Sequence, residues 1–525
     1  MPKTRLEADF CVVGAGYAGL AAAHKLQKKR HSVIVLEAGN HPGGRVWTEC
    51  LSDGTPFDIG GAWVAEPTAQ PHIRALMAEL NVDPYDQYIG PVPLDPKTKT
   101  SEAKTIFVGS DGKPSTYKPL SKNVLERLPD FGFPAQLDVG SAIFALSAMS
   151  ANVNAEAPWE DVAFELPLSL IGPKTTREAD QMTIQTWIDL NMTSADAKTL
   201  LGNAVTGVLG VSPAAASLLH FLFMLKTFQS KFSKMINFAF QSNFVNMIGS
   251  GEGEAEQFRV KGGAQAMAKI IAANLGENLL LCNPVRQITQ EGRSVTVSSE
   301  NVSVHARRVI VATGTAMANF IRFDPVLPPA RALLQQRMPQ GEVWKIWLCY
   351  DKAWWRSKKL GLNGETVSIY GKDFIANSRD AGLELGQDRP GLMNVFIAGD
   401  RAREFAAMGR ARRKALVLRE IQHRFQTEEA AQLSKKIKFP AVLPQCPEPD
   451  SYFEWNWAQD EFTRGDYAAV PGPGVLTAYG FGPARGTPFK NVYWASVDLA
   501  TYPYAAFSGA VQSGERAADQ ALASL

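Results

Sequence analysis

Three glycines, Gly14, Gly16 and Gly19, stand in the spacing G-x-G-x-x-G directly after the apolar run Cys11-Val12-Val13, and an acid, Glu37, follows. Such a set could hold a dinucleotide. Gly14 permits a tight turn, Gly16 lets main chain approach a pyrophosphate, and Gly19 lets a helix pack closely on the strand. Ala15 and Ala18 complete the turn. Leu20 to Leu26 is apolar at helical spacing, so a helix N-terminus with unpaired N–H groups would face the phosphates. Val33 to Leu36 reads as a second strand, after which Glu37 can accept hydrogen bonds from ribose hydroxyls and Ala38 continues the chain past them. A second candidate for chemistry is Lys345, set between Trp344 and Ile346 in the alternating segment 338–350. A lysine flanked so heavily by apolar groups must either snorkel to a surface or serve a site.

The elements that must position these residues recur in three separated stretches. The first contains the glycine turn. After residues 86–255, with proline-rich loops and amphipathic helices, segment 258–265 leads into a helix and Leu279–Val285 into a strand. Ser294 to Val304 alternates as one half-buried strand would, and Val309–Ala312 reads as another core strand. The third stretch ends in an apolar helix containing Gly509 and Gly514.

Several function classes are disfavoured by composition. Lys+Arg of 54 against Asp+Glu of 52 leaves a net charge of +2, too balanced for a nucleic-acid partner. No uninterrupted apolar run reaches the roughly 18 residues needed to span a bilayer. The first strand is expected near residue 8, which leaves no room for a signal peptide. The C-terminal Ala-Ser-Leu lacks the basic residue of a peroxisomal address. Five scattered cysteines (11, 50, 282, 349 and 446) show no metal spacing, and no metal is expected. A reduced, soluble, cytoplasmic protein is the expectation. None of the seven histidines falls in a motif; His41 and His72 lie near the cofactor loops, and surface or capping roles are expected of both.

Downstream of the acidic strand come Gly43-Gly44-Arg45 and then Phe57-Asp58-Ile59-Gly60-Gly61-Ala62-Trp63. Here the chain resembles the flavin amine oxidases, and the monoamine oxidase subgroup in particular. The resemblance extends to the segment around Lys345, to the segment from Trp455 and Trp457 to Tyr467, and to the stretches 491–500 and 506–518. It implies FAD as cofactor, with Gly44, Arg45, Gly61, Ala62 and Trp63 along it and Val285 at the adenine end through its backbone. It implies that Lys345 holds a water beside flavin N5, and that Trp457 and Tyr467 belong to the catalytic side. A buried lysine of lowered pKa would suit oxygen chemistry there. It also implies that the last helix points its N-terminus at the flavin N1–C2=O edge, with the Phe507 N–H as donor, where reduction adds negative charge.

Three departures from the subgroup stand out. Where some members attach flavin through a cysteine thioether, this chain has Asp466, so non-covalent FAD is expected. Asp498 replaces a longer acid, with its contact to the cofactor rearranged or water-mediated. Tyr467 supplies one ring of the amine-clamping pair, but the partner position is Ala506. Tyr504 or Tyr502 could swing in to replace the missing ring, or the substrate could be bulkier.

The fold expected is α/β: a Rossmann-like FAD-binding domain assembled from three chain segments (5–85, 257–333, 458–525) plus an α+β substrate-binding domain (86–256, 334–457). The function expected is amine oxidation to an imine, with hydride transfer to flavin N5 and reoxidation by O2 giving H2O2. Two alternatives stay open. One is a dehydrogenase, desaturase or cyclase acting on a C–N or C–C bond of a larger metabolite. The other is a non-catalytic flavin protein whose apolar 214–247 region binds a partner. Expected partners are a small-molecule amine or larger metabolite and O2, without nucleic acid or membrane, and with homodimerisation left open.

Overall fold

A computed structural model of the protein describes residues 3–90, 101–164, 171–228, 247, 254–356, 360–382, 390–426, 447–479 and 486–525. The first strand, Thr4–Val13, starts exposed and ends fully buried, as its sequence passes from charged to apolar residues. It begins earlier than residue 8 and lies parallel between Val33–Leu36 and Val302–Val311. The whole sheet runs in the order Leu279–Leu280, Val33–Leu36, Thr4–Val13, Val302–Val311, Ser294–Ser298, Gln287–Glu291 and Arg322–Asp324. Val492–Trp494 pairs with Val302–Val311. Val13 sits opposite both Leu36 and Val311, and Val311 opposite Trp494. The carboxyl ends of four strands from distant parts of the chain therefore end at one edge, where ligands of open α/β sheets bind.

Two expected strands are corrected. Ser294–Val304 is not one strand but a hairpin, Ser294–Ser298 and Val302–Val311, antiparallel in register. The reason is visible in the valines: 295 and 297 share one parity and 302 and 304 the other, so one continuous strand would have turned them to opposite faces. Val309–Val311 belongs to the same strand as Val302. The strand expected over Leu279–Val285 stops at Leu280 and gives way to a loop carrying Pro284 and Val285.

A second, seven-stranded sheet is ordered Ser451–Asn456, Val343–Tyr350, Gly391–Ala398, Asn377–Asp380, Leu362–Ser368, Lys104–Val108, Pro114–Tyr117. Helices Phe133–Asn152, Ile184–Asn191, Ala195–Leu209 and Leu218–Thr227 form a separate apolar core beside it. Leu218–Thr227 is buried on nearly every side, which explains its apolar composition. The remainder of the apolar 214–247 region lies largely outside the described residues, as does Cys446. Of the expected crossing points, 85/86, 333/334 and 457/458 fall inside Pro84–Asp86, Pro329–Arg337 and Trp457–Gln459, and 256/257 falls in the turn before Phe258–Val260. No helix among the described residues is long and apolar enough to cross a membrane.

Candidate active site

A cavity of about 330 Å³ opens at the carboxyl edge of the first sheet and reaches the second. Its first wall is main chain. Gly14 has φ +100°, and a Cβ there would lie 3.0 Å from the Ala312 carbonyl oxygen. At Gly19 a Cβ would lie 1.9 Å from the Gly14 carbonyl oxygen, so only glycine lets the helix Tyr17–Lys28 come this close. At Gly16, by contrast, a Cβ would meet no protein atom within 4 Å and would project into ligand space. Gly43 (φ +113°) and Gly44 (φ +59°) stitch the second glycine pair onto this turn, with the Gly43 N–H donating to the Ala15 carbonyl at 2.8 Å. The Glu37 carboxylate accepts from the Ala15 N–H at 2.5 Å and the Gly39 N–H at 2.7 Å. Its burial pushes its pKa up, against the pull of those amides.

Two helix N-termini open onto the same cavity, and neither is capped by a side chain: Tyr17–Lys28 after Gly16, and Phe507–Ala523 after Ala506. The helices cross where a Cβ on Gly514 would lie 2.1 Å from the Ala18 carbonyl oxygen. The Tyr17 and Phe507 rings stack at 5.6 Å beside the crossing. The Cβ-free space at Gly16 and the paired uncapped helix ends fit a molecule carrying a pyrophosphate at one end and an electron-accepting carbonyl at the other.

Side chains build the second wall. All eight residues of Val343–Tyr350 are buried between two neighbouring strands, so Lys345 does not reach the outer surface and lies instead at the cavity. Its Nζ donates to the Asp58 carbonyl at 3.3 Å and to the Gly60 carbonyl, and it lies 5.2, 5.1 and 5.6 Å from the rings of Trp63, Trp347 and Phe396. Burial pulls its pKa from 10.5 down to about 7, with Asp58 opposing and Arg259 reinforcing the fall. Arg45 donates to the Tyr467 carbonyl at 2.6 Å. Asp466 accepts from the Val343 N–H at 3.1 Å, and burial pushes its carboxyl up to about 8. Trp457, buried against Trp47 and Trp455, closes one side, and Tyr467, Ala506 and Phe507 line the rest.

Residues 17–522 match the family model for flavin containing amine oxidoreductases. The chain belongs to that family. It is a flavin-dependent oxidoreductase of the amine oxidase type, with FAD as its cofactor. Among curated relatives, it is 29% identical over 519 residues to the L-amino acid dehydrogenase of a Synechocystis species, covering 97% of this chain and 94% of that protein. It is 27% identical over 537 residues to the putrescine oxidase of Kocuria rosea, covering 99% and 96%. Among solved structures, wild-type putrescine oxidase bound to putrescine superposes with a TM-score of 0.80 at 25% identity, covering 99% of this chain and 100% of that one.

In this amine oxidoreductase the cavity brings together Gly14, Gly16, Ala18, Glu37, Ala38, Gly44, Arg45, Gly61, Val285, Lys345, Trp457, Tyr467, Ala506 and Phe507. Six other expected site residues stand off it. Ala15 and Gly19 act within the turn, and Ala62 is buried behind the wall. Trp63 turns toward the cations: its ring takes Arg259 at 5.6 Å and Arg379 at 5.7 Å as well as Lys345. Asp498 accepts from the Thr315 N–H at 2.7 Å and the Ala469 N–H at 2.9 Å, a clamp between two chain segments that uses both carboxylate oxygens. Tyr504 is buried in the helical core, donating to the Ala469 carbonyl at 2.6 Å, and Tyr502 donates to the Thr68 carbonyl at 3.2 Å. Neither replaces the missing ring at Ala506. His41 lines the cavity and stacks on Trp47 at 4.9 Å, whereas His72 pairs with Glu515 at 2.8 Å. The reading from sequence missed the buried pair Asp58–Arg259. An acid just before Gly60-Gly61 was the only local signal, because its partner lies two hundred residues away.

Proposed function

We propose that the protein oxidises an amine to an imine with hydride transfer to N5 of a non-covalently held FAD, and that O2 reoxidises the cofactor to give H2O2. The single observation that carries this reading is Lys345, buried at the cavity wall on two loop carbonyls with its pKa drawn toward neutrality. Near pH 7 such a group can hold a water by either donating or accepting, and can exchange a proton with it. Bound FAD supplies the two-electron chemistry; the chain supplies orientation and exclusion of water. Gly16 and the first helix end would hold the pyrophosphate, Glu37 the ribose and Arg45 the phosphate charge, and the Phe507 N–H would be available to the flavin carbonyl. Tyr467 guides the amine, and Trp457 shuts off the far side. We assign segments 5–85, 257–333 and 458–525 to the FAD-binding domain and the rest to substrate.

Asp466 lies at the cavity where a thioether-forming cysteine stands in some members, and a carboxylate cannot form that bond. Acid precipitation should therefore leave the flavin colour in the supernatant; a coloured pellet would refute non-covalent binding.

A second reading has an observation of its own. Ala506 faces the cavity and neither Tyr502 nor Tyr504 fills the space beside it, which suits a bulkier substrate and a dehydrogenase, desaturase or cyclase reaction. Anaerobic titration of the yellow holoenzyme with a broad amine panel separates the two. Bleaching by an amine, reversed by air with peroxide released, supports the oxidase. Silence toward every amine moves the assignment to the bulkier metabolite. In either case Ala506→Tyr should lower turnover of the true substrate, and unchanged kinetics would show that this gap holds no substrate.

A further inference from the structure

Lys345 does not hold itself in place. Both carbonyls it donates to belong to residues 58–61, and that segment is locked from behind. The Ile59 N–H donates to the Trp47 carbonyl at 2.9 Å and the Gly61 N–H to the Arg45 carbonyl at 3.1 Å. The Asp58 carboxylate, 2% exposed, is held on one oxygen by the Thr48 hydroxyl at 2.7 Å and the Ala264 N–H at 2.8 Å. Its other oxygen takes Arg259 Nη2 at 3.1 Å. That guanidinium is equally buried and lies over the same indole, Trp63, that faces Lys345.

We infer that Asp58 is a positioning residue for the reaction: through its buried pair with Arg259 it fixes the loop carbonyls that hold Lys345 and cancels the guanidinium's charge beside the lysine. The inference rests on the reading that Lys345 works beside the flavin. Buried charges are expensive unless paired, and removing one member leaves the other uncompensated. A lone Arg259 would repel an ammonium on Lys345; a lone Asp58 would trap it. Paired, they leave the lysine's ionisation to burial and its remaining neighbours. Those are Asp466 from the strand Asp466–Ala469, Arg379, which also lies against the Trp63 ring at 5.7 Å, and the uncharged rings of Trp63, Trp347 and Phe396. A purely structural Asp58 would affect stability but not the lysine's ionisation, and this separates the two roles.

The test uses oxidised, FAD-loaded protein without substrate, and follows the visible flavin spectrum from acid to alkaline pH. Wild type should show a transition near neutrality that Lys345→Met abolishes. In Asp58→Asn it should move to lower pH by about one pH unit, a tenfold loss of proton affinity, because Arg259 is left uncompensated. The double variant Asp58→Asn/Arg259→Gln leaves no unpaired charge, so it should load FAD even if the single variant does not, with its midpoint near that of wild type. An unmoved midpoint in loaded Asp58→Asn, a double variant displaced as far as the single one, or a wild-type spectrum with no Lys345-dependent transition would each overturn the inference. The oxygen role of Lys345 is read separately, from the rate at which air reoxidises the reduced enzyme. If the spectral midpoint moves and the pH profile of that rate does not follow, the oxygen role fails while the positioning role of Asp58 stands.

Discussion

The wall formed by residues 13–44 and the wall formed around Val343–Tyr350 face the same cavity but present different chemistry to it. On the first, main-chain amides, the start of helix Tyr17–Lys28 and Cβ-free glycines predominate, within one short stretch of chain. On the second, side chains converge from remote positions: Lys345 on carbonyls near residue 58, Arg45 on the Tyr467 carbonyl, and Arg259 paired to Asp58. The comparison teaches that the main-chain wall is set by local steric rules and tolerates little. The side-chain wall is set by packing and can change its chemistry one residue at a time.

The sharpest break in that comparison is expected at the glycines. Gly19→Ala should cost about 1–3 kcal/mol of stability through overpacking and yield protein without FAD. Gly16→Ala should leave the melting temperature of the FAD-free protein unchanged while weakening FAD binding on the order of tenfold. Equal effects of the two substitutions would remove the distinction between a packing glycine and a ligand-facing one. Differential scanning fluorimetry and FAD titration read both.

Next in size is Lys345→Met, which should slow reoxidation of the reduced enzyme by air on the order of 10²-fold, as loss of a proton-handling group does. It should also change stability with a definite sign. The folded lysine titrates near 7 and the unfolded one at 10.5, so between those values only the unfolded chain keeps the proton, and wild-type stability rises with pH. The variant should therefore melt higher than wild type below pH 7, by about 2 °C or more, with the gain fading toward pH 10.5. A gain that grows with pH would refute the depressed ionisation.

Smaller effects should mark residues that stand off the cavity. Asp498→Asn turns one of two amide acceptors into a donor and should cost about 1–3 kcal/mol in thermal unfolding, with FAD content unchanged. Tyr504→Phe should cost about 1 kcal/mol and leave KM unaltered. Loss of FAD in the first, or a changed KM in the second, would return that residue to the site.

How far the sequence could be read follows the same division. The strand, glycine turn, helix and acid over residues 11–37 were legible because each link is local: a turn that only glycine allows, a helix start beside it, and a strand of the right length. Lys345 was legible as an anomaly, a charge in an apolar strand, although its isolation from solvent depended on the two strands that flank it. The hairpin at Ser299–Asn301 was hidden by alternation that is the same in one strand as in two, apart from the parity of its valines. Asp498 and Trp63 were placed at the cavity by the family resemblance and Tyr504 as a neighbour of Ala506, and the direction of each side chain gave it other partners.

By itself, the sequence determined a dinucleotide-binding turn, because glycine spacing and strand periodicity act over short distances; the flavin, the oxidoreductase reading and the missing aromatic ring came from its resemblance to the flavin amine oxidases. Only the tertiary structure decided which acid touches the ligand space and which clamps the fold. It alone paired Asp58 with Arg259 behind Lys345, and left the space beside Ala506 open. Those outcomes depend on the direction of each side chain and on burial among segments hundreds of residues apart, and no local rule fixes either.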